Sequence, residues 1–185
     1  GLTEVPNPSE LFLADRRDDV TGAVVFAGIE GSRPVLVEIE ALVAPSTLAS
    51  PRRNVVGWDS SRLAMLTAVL EARCGVPLSG RDIFLNVAGG LRIAETAADL
   101  AVAAALLSSV TGRPAPPRSV FFGEVALSAE LRQVAQADAR LKEAAKLGFD
   151  TAVMPRPRKK LATPSGLSLA QPATLAELIE IMGGV

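Results

Sequence analysis

Residues 84–110 read FLNVAGGLRIAETAADLAVAAALLSSV, and this stretch decides the fold. The apolar run around Phe84 predicts a strand that ends at Gly89-Gly90, and a helix begins a few residues later. Thr96 followed by Asp99 predicts a capping box at the start of that helix. From Ala97 to Val110 the helix is apolar on every side, which is typical of a helix that is buried all round.

The start of this helix is also where some hydrolases place a nucleophile, because free N–H groups and the helix dipole favour negative charge there. Here the position is occupied by Ala97, which carries no reactive group. Thr96 could serve instead, but its predicted capping role explains it more simply. The chain has no histidine, so a general base would have to be a lysine or a carboxylate.

On the amino-terminal side of this stretch, periodicity predicts a β-hairpin over 20–43 with one solvent-exposed face. It also predicts a helix from Asp59 or Ser60 to about Arg73. Residues 44–57 are predicted as a loop. Further strands are expected at 119–127, 131–134, 151–154 and 167–170, with helices at 137–147 and after a second capping box at Thr174. We therefore predict an α/β fold with a mixed sheet, in which a β-hairpin is followed by strand–helix units. Residues 1–19 are interpreted as a linker, and residues 20–185 as one domain.

Composition excludes several classes of site. The net charge is −1. There is one cysteine, so no disulfide framework or thiolate metal cluster is expected. No P-loop occurs, no metal site is expected, and no apolar run is long enough to span a membrane. We also see no signal peptide, and the simplest expectation is a cytoplasmic protein without a membrane partner.

Two basic clusters lie in predicted loops and are candidates for DNA contacts. Arginine can fork onto phosphate, and several such contacts make a salt-dependent polyanion site. The scarcity of aromatic residues favours contacts to backbone phosphates rather than base stacking. The alternative interpretation is that both loops are simply solvated. The candidate residues are Arg52, Arg53, Arg156, Arg158, Lys159 and Lys160.

Four stretches together resemble the C-terminal domain of the RadA (Sms) family of bacterial DNA-repair proteins. They are PRRNVVGWDSSRL at 51–63, NVAGGLRIAETAADLAVAAALLSSV at 86–110, FFGEVALSAELRQV at 121–134 and RLKEAAKLGFDTAVMP at 140–155. The resemblance extends over nearly the whole chain from about Val5. That domain is similar to the peptidase domain of Lon protease, so the resemblance implies a Lon-like domain with a mixed sheet.

The resemblance also places the Lon catalytic dyad on this sequence. Ala97 stands where Lon has its nucleophilic serine. Counting from the shared Gly-Glu-Val at 123–125 to the shared Gly148 without a gap puts Asp138 where Lon has its catalytic lysine. An alanine cannot attack a carbonyl and an aspartate cannot supply an amine, so we expect no Ser–Lys peptidase activity and no catalytic residue.

In this family the resemblance implies a scaffold that supports hexameric rings and contacts single- or double-stranded DNA. Full-length members add a zinc finger and a RecA-like ATPase, act in recombinational repair by branch migration, and work with a recombinase of the RecA type. No cofactor is expected in this part of the chain, since ATP, magnesium and zinc belong to the domains that it lacks. Two alternatives stay open: a peptidase with an unconventional site using Thr96 and Lys142, and a pure oligomerisation module without DNA contact.

Overall fold

A computed structural model describes residues 8–13 and 16–185. The helices in these ranges are α1 Pro8–Leu13, α2 Ser60–Cys74, α3 Asp99–Thr111, α4 Ala137–Lys146 and α5 Leu175–Ile181. The strands are β1 Ala23–Glu30, β2 Arg33–Pro45, β3 Arg53–Val56, β4 Arg81–Val87, β5 Ser119–Phe121, β6 Glu124–Val125, β7 Leu131–Arg132, β8 Thr151–Val153 and β9 Ser168–Ala170. Two short 3₁₀ turns cover Ala88–Gly90 and Thr96–Ala98.

The central sheet orders its strands as β3-β4-β2-β1-β5-β8-β9. β2 runs antiparallel to both neighbours, and the other neighbouring pairs are parallel. β6 and β7 form a separate antiparallel pair. The predicted α/β fold with a mixed sheet and an initial hairpin is therefore confirmed. Because six of these seven strands point the same way, their carboxyl ends meet at one edge of the sheet.

The sheet differs from the sequence prediction in three places. Residues 53–56, predicted as loop, form the edge strand β3, which pairs with β4 on one side only. The single strand predicted over 119–127 is broken at Gly123, whose backbone bonds to the start of the central helix instead. The hairpin has no wet face along β1, where residues 23–28 are all buried and the strand contacts both α3 and α4.

Helix α3 is the packed centre of the domain, as predicted. Residues 100–107 are all buried, and the helix contacts β1, β2 and β5 of the sheet as well as α2 and α5. Its alanines allow the backbone to approach the sheet closely. At its end, Ser108 Oγ accepts from Gly22 N (2.8 Å) and Ser109 Oγ accepts from Val43 N (2.9 Å). These bonds anchor the last turn of α3 to the sheet.

The other predicted helix starts agree with the structure. Asp59 caps α2 by accepting from Ser61 N and Arg62 N, and Gly75 ends that helix in a left-handed conformation. Thr174 caps α5 by accepting from Glu177 N. Such caps satisfy backbone groups that a helix terminus leaves unpaired.

Part of the predicted linker packs against the sheet. In α1, Ser9 is fully buried, and its Oγ accepts from Leu36 N of β2 at 2.8 Å. Arg16 Nε lies 3.1 Å from Glu38 Oε2, also on β2. Residues 1–7, 14 and 15 lie outside the described residues, and the boundary at residue 20 stays a prediction.

Candidate functional site

The start of α3 does not form the predicted capping box. Residues Thr96–Ala98 make a 3₁₀ turn without a side-chain cap, and the α-helix begins at Asp99. The Asp99 carboxylate does not reach back to Thr96, because it binds Arg62 and Val125 instead. The capping-box prediction is therefore wrong, and the acidic residue that suggested it has a long-range role.

Ala97 is buried within this turn. Its side chain is buried, and its carbonyl accepts from Gly123 N at 2.8 Å. One turn later, Leu100 N donates to Gly123 O at 3.0 Å. A Cβ at Gly123 would lie 2.8 Å from Pro155 Cδ, so only glycine fits this close approach. The position that the resemblance assigns to the Lon serine is thus an apolar, tightly packed part of the core.

Asp99 lies at the centre of the first ion pair of the site. Arg62 on α2 holds both carboxylate oxygens, with Nε 2.8 Å from Oδ1 and Nη2 on Oδ2. Val125 N donates to Oδ2 at 2.9 Å. Burial raises the pKa of the Asp99 carboxyl, and the Arg62 and Val125 donors oppose that rise. The pair joins α2, α3 and β6 at one point.

A second ion pair crosses from the turn before α3 to α4. Arg140 Nη2 lies 2.7 Å from Glu95 Oε1, and Glu95 Oε2 accepts from Ile29 N at 2.8 Å. Arg140 also donates to Ala27 O (2.9 Å) and Ala135 O (3.0 Å). Only 4% of the Arg140 side chain is exposed. This arginine ties α4 to β1 and to the segment that leads into Ala97.

The remaining residues considered from sequence face away from this site. Asp138 is exposed on the first turn of α4, two residues before Arg140. Since successive helical residues are about 100° apart, residues two positions apart point to nearly opposite sides. Lys142 is exposed as well, and among the described residues no hydrogen bond joins it to Thr96. Arg140 is therefore the basic residue among those that α4 buries, which also include Leu141, Glu143 and Ala144.

Sequence reasoning missed the four residues of these ion pairs. Arg62 and Asp99 are 37 positions apart, and no local spacing joins them. Glu95 and Arg140 lie in separate segments that look like an ordinary loop and a surface helix. The one available signal was the pair of ionisable residues flanking an otherwise apolar stretch, at Glu95 and Asp99.

The first basic cluster, Arg52 and Arg53, makes structural contacts at the sheet edge formed by β3. Arg52 binds Asp82 through its backbone N–H (2.7 Å) and through Nε and Nη2 (3.2 and 2.9 Å), and it lies over the Phe84 ring. The Arg52 backbone and side chain together lower the pKa of Asp82. Arg53 Nη2 donates to Leu78 O at 3.4 Å. Both residues are exposed, but each has a structural contact.

The second basic cluster follows β8. Arg156 and Arg158 are exposed and line a groove with a volume of about 880 Å³. Lys159 and Lys160 are exposed beside it but do not line it. Arg158 N donates to Gln133 Oε1 at 2.9 Å, which fixes this loop against the residues after β7.

The structure does not bring the two clusters together. Arg52 and Arg53 lie at the amino end of β3, on one lateral edge of the sheet, whereas residues 156–160 follow the carboxyl end of β8. β3 and β8 are five strand spacings apart, or roughly 24 Å, and the two clusters lie at opposite ends of their strands. They therefore occupy diagonally opposite corners of the sheet.

Across residues 8–13 and 16–185, no cluster of three or more histidine, cysteine, aspartate or glutamate side chains has metal-binding geometry. In the same ranges, no helix has both the length and the apolar character needed to span a bilayer.

The fold and site define the class: an α/β domain with a mixed sheet, in which two ion pairs surround the start of a buried central helix. A sequence model for the family described as "Subunit ChlI of Mg-chelatase" matches residues 58–158, more than half of the chain, and the chain belongs to that family. Relatives named "DNA repair protein RadA" confirm the resemblance stated from the sequence.

These relatives match most of this chain. The protein from Brucella abortus is 58% identical over 179 residues, which are 97% of this chain and 38% of that protein. The protein from Pseudomonas aeruginosa is 47% identical over 182 residues, 98% of this chain and 40% of its own length. The protein from Rickettsia felis is 57% identical over 150 residues, 81% of this chain and 34% of that protein. The chain thus spans about two fifths or less of these relatives.

Proposed function

We propose that this chain is a non-catalytic scaffold domain of a RadA-like DNA-repair ATPase, which supports hexameric ring assembly and binds the DNA phosphate backbone. The observation that carries the non-catalytic part is the Glu95–Arg140 ion pair beside a buried Ala97. The whole protein would act in the cytoplasm in recombination and branch migration with a RecA-type recombinase. ATP, magnesium and zinc would be held by its other domains.

The chemistry at the helix start supports the absence of peptidase activity. A Ser–Lys dyad needs a hydroxyl and an amine that can exchange a proton. Here Ala97, at the position assigned to the serine, carries only a methyl group. Asp138, at the position assigned to the lysine, faces solvent. Of the side chains that α4 buries, the basic one is Arg140, and its guanidinium is already paired with Glu95.

Restoring the two aligned residues is expected to restore no proteolysis. In Ala97→Ser combined with Asp138→Lys, the new lysine would point to solvent while Arg140 and Glu95 remain in place. The check is casein turnover together with labelling by a serine-reactive fluorophosphonate, compared with Ala97→Ser alone. Turnover in the double variant that disappears without the lysine would contradict the proposal.

The DNA half of the proposal predicts binding that is independent of sequence and steeply dependent on salt. Contacts to phosphates release counterions, so affinity falls as salt rises, and unrelated sequences bind alike. The measurement is fluorescence anisotropy with two unrelated oligonucleotides, single-stranded and duplex, at several salt concentrations. Absence of binding at low salt, in a sample shown to be a ring, would leave only the assembly role.

That second candidate, an assembly module without DNA contact, is favoured by one observation. The net charge of −1 provides no overall attraction to a polyanion. Both candidates need surface for neighbouring subunits, and Leu42 on β2 and Val56 on β3 are more than half exposed. Native mass spectrometry with and without DNA separates the two candidates.

A further inference from the structure

Residues 91–95, which connect the turn after β4 to the start of the central helix, have the backbone of a strand but belong to no sheet. Leu91 (φ −71°, ψ 142°) and Glu95 (φ −118°, ψ 147°) are both extended. The residues between them belong to no helix or strand. This segment is therefore strand-like in conformation without being part of the seven-stranded sheet.

One side of the segment is bonded to the protein, and the other side is unpaired. Ile93 N donates to Gly57 O at 2.8 Å. Neighbouring residues of an extended chain direct their N–H and C=O groups to opposite sides, so those of Arg92 and Ala94 point away from Gly57. Both residues are exposed, and across residues 8–13 and 16–185 no hydrogen bond engages their backbone groups. They form a short free edge with which a second extended chain can pair.

An apolar pocket adjoins this edge. Its volume is about 150 Å³. An apolar cavity of about that size holds a benzene ring, so the pocket accommodates one side chain of the size of leucine or phenylalanine. The apolar side chains that line it come from the β1–β2 hairpin and from the segment itself: Phe26, Ile29, Val35, Val37, Leu91 and Ile93.

The free charges of this cleft, which comprises residues 91–95 and the pocket, cancel each other. Glu30 and Arg92 are exposed at its rim, and neither forms an ion pair within the part of the chain that the structure describes. The third charged residue, Glu95, is already bound to Arg140 and to Ile29 N. A balanced rim attracts neither a polyanion nor a polycation. The cleft therefore suits an uncharged extended chain that carries an apolar side chain.

A second recess provides an optical signal for the same segment. It has a volume of about 530 Å³ and borders residues 92–95 from the side of α2. Trp58 lines this recess, and it is the one tryptophan in a sequence that contains no tyrosine. Its fluorescence therefore reports on the surroundings of this segment.

We propose that the cleft binds an extended, uncharged peptide by strand addition, with one leucine or phenylalanine side chain in the pocket. The peptide backbone pairs with Arg92 and Ala94, which supplies affinity, and the pocket supplies the preference for an apolar side chain. Ala97, which follows this segment, carries no nucleophile, so the peptide is held and not cleaved. This inference goes beyond the proposed scaffold function and does not depend on DNA binding.

The test uses end-capped, fluorescein-labelled hexapeptides in which leucine and serine alternate. A peptide with alanine in place of leucine leaves the pocket empty. Two further peptides carry N-methyl groups, one on its leucines and the other on its serines, because only one set of backbone N–H groups can face the edge. Binding is measured by fluorescence anisotropy, by the emission of Trp58 with unlabelled peptide, and at several salt concentrations.

We expect the leucine peptide to bind at least about tenfold more tightly than the alanine peptide and to shift the emission of Trp58. One N-methylated peptide should lose about tenfold in affinity, whereas the other should bind like the unmodified peptide. The slope of log affinity against log salt should be smaller than about 1, because no phosphate is contacted. Mass spectrometry should recover the peptide intact.

A pair of variants tests the pocket from the side of the protein. Ile29→Phe adds a ring at a half-buried position of the pocket wall and should weaken binding of the leucine peptide about tenfold. Leu127→Phe is the matched control, because Leu127 is exposed and lies outside the cleft, and it should leave the affinity unchanged. Thermal melting checks that both variants fold, and the N-methylated peptides test the edge on the wild-type protein.

Several results would overturn the assignment while leaving the proposed scaffold function intact. They are absence of peptide binding, equal affinity for the leucine and alanine peptides, and equal binding of both N-methylated peptides. Tighter binding of a glutamate–serine or lysine–serine peptide with a steep salt dependence would assign the surface to charge instead. Dissociation of an oligomer by the leucine peptide, seen by native mass spectrometry, would assign the cleft to a second copy of this chain.

Discussion

Replacing Arg62 with methionine is expected to lower the free energy of unfolding by about 3 kcal/mol near pH 8. The reason is that Asp99 has only 1% of its side chain exposed and would keep a single donor, Val125 N. Removing one partner of a buried pair leaves the other charge without compensation, which costs more than the pair itself contributes. Methionine retains most of the volume of the arginine stem, so packing loss is kept small.

The loss is expected to be smaller near pH 5. Burial raises the pKa of the Asp99 carboxyl, and Arg62 is the main group that opposes the rise, so the variant has a still higher folded-state pKa. A carboxyl with a folded pKa above its unfolded pKa favours folding fully below the unfolded value. That contribution disappears as the pH rises through the folded value. As the pH falls, Asp99 in the folded variant is therefore protonated more readily than in the wild-type protein, and the missing partner costs less stability.

Urea unfolding of both proteins at pH 5 and pH 8 measures this difference. Arg73→Met is the matched control, because Arg73 is exposed on the same helix, and it should change stability by less than about 0.5 kcal/mol. Adding Asp99→Asn to Arg62→Met should abolish the pH-dependent part of the loss. An equal loss for Arg62→Met at both pH values would show that Asp99 stays ionised without its partner.

The sequence anticipated the elements around this pair but not the pair itself. The hairpin, the capped start of α2 and the buried α3 follow from local periodicity and capping, which act over a few residues. Asp99 illustrates the limit of such rules. Its spacing from Thr96 fits a capping box, yet in the folded chain a guanidinium 37 positions away competes successfully for the same carboxylate.

The basic residues show the same limit at the scale of the sheet. Two basic loops suggest one polyanion site, but whether they meet depends on strand order and direction, which composition does not contain. The order β3-β4-β2-β1-β5-β8-β9 puts them at opposite corners. The separate β6–β7 pair brings Arg132, in a segment predicted only as a returning strand, to the same groove as Arg156.

Replacing Arg140 with methionine is expected to have the largest effect, a loss of about 4 kcal/mol in the free energy of unfolding. The guanidinium forms an ion pair with Glu95 Oε1 and donates hydrogen bonds to the carbonyls of Ala27 and Ala135. Arg140→Lys should recover about half of the loss, because an ammonium group keeps the charge but cannot match the planar fork.

Urea unfolding is again the measurement, with Lys142→Met as the control on the same helix. Lys142 is exposed and should tolerate the change within about 0.5 kcal/mol. If Arg140→Met cost less than about 1 kcal/mol, the buried contacts would not be what fixes α4 to the sheet.

A double-mutant cycle with Glu95→Gln separates the ion pair from the carbonyl contacts of Arg140. We expect a coupling energy of about 1 to 3 kcal/mol between the two residues, because they are in direct contact and largely buried. Such coupling would mean that an ion pair holds helix α4 to the segment that leads into Ala97. A Ser–Lys dyad at the same place would instead need an exchangeable proton. A coupling energy near zero would contradict this, since Glu95 would then be held by Ile29 N alone.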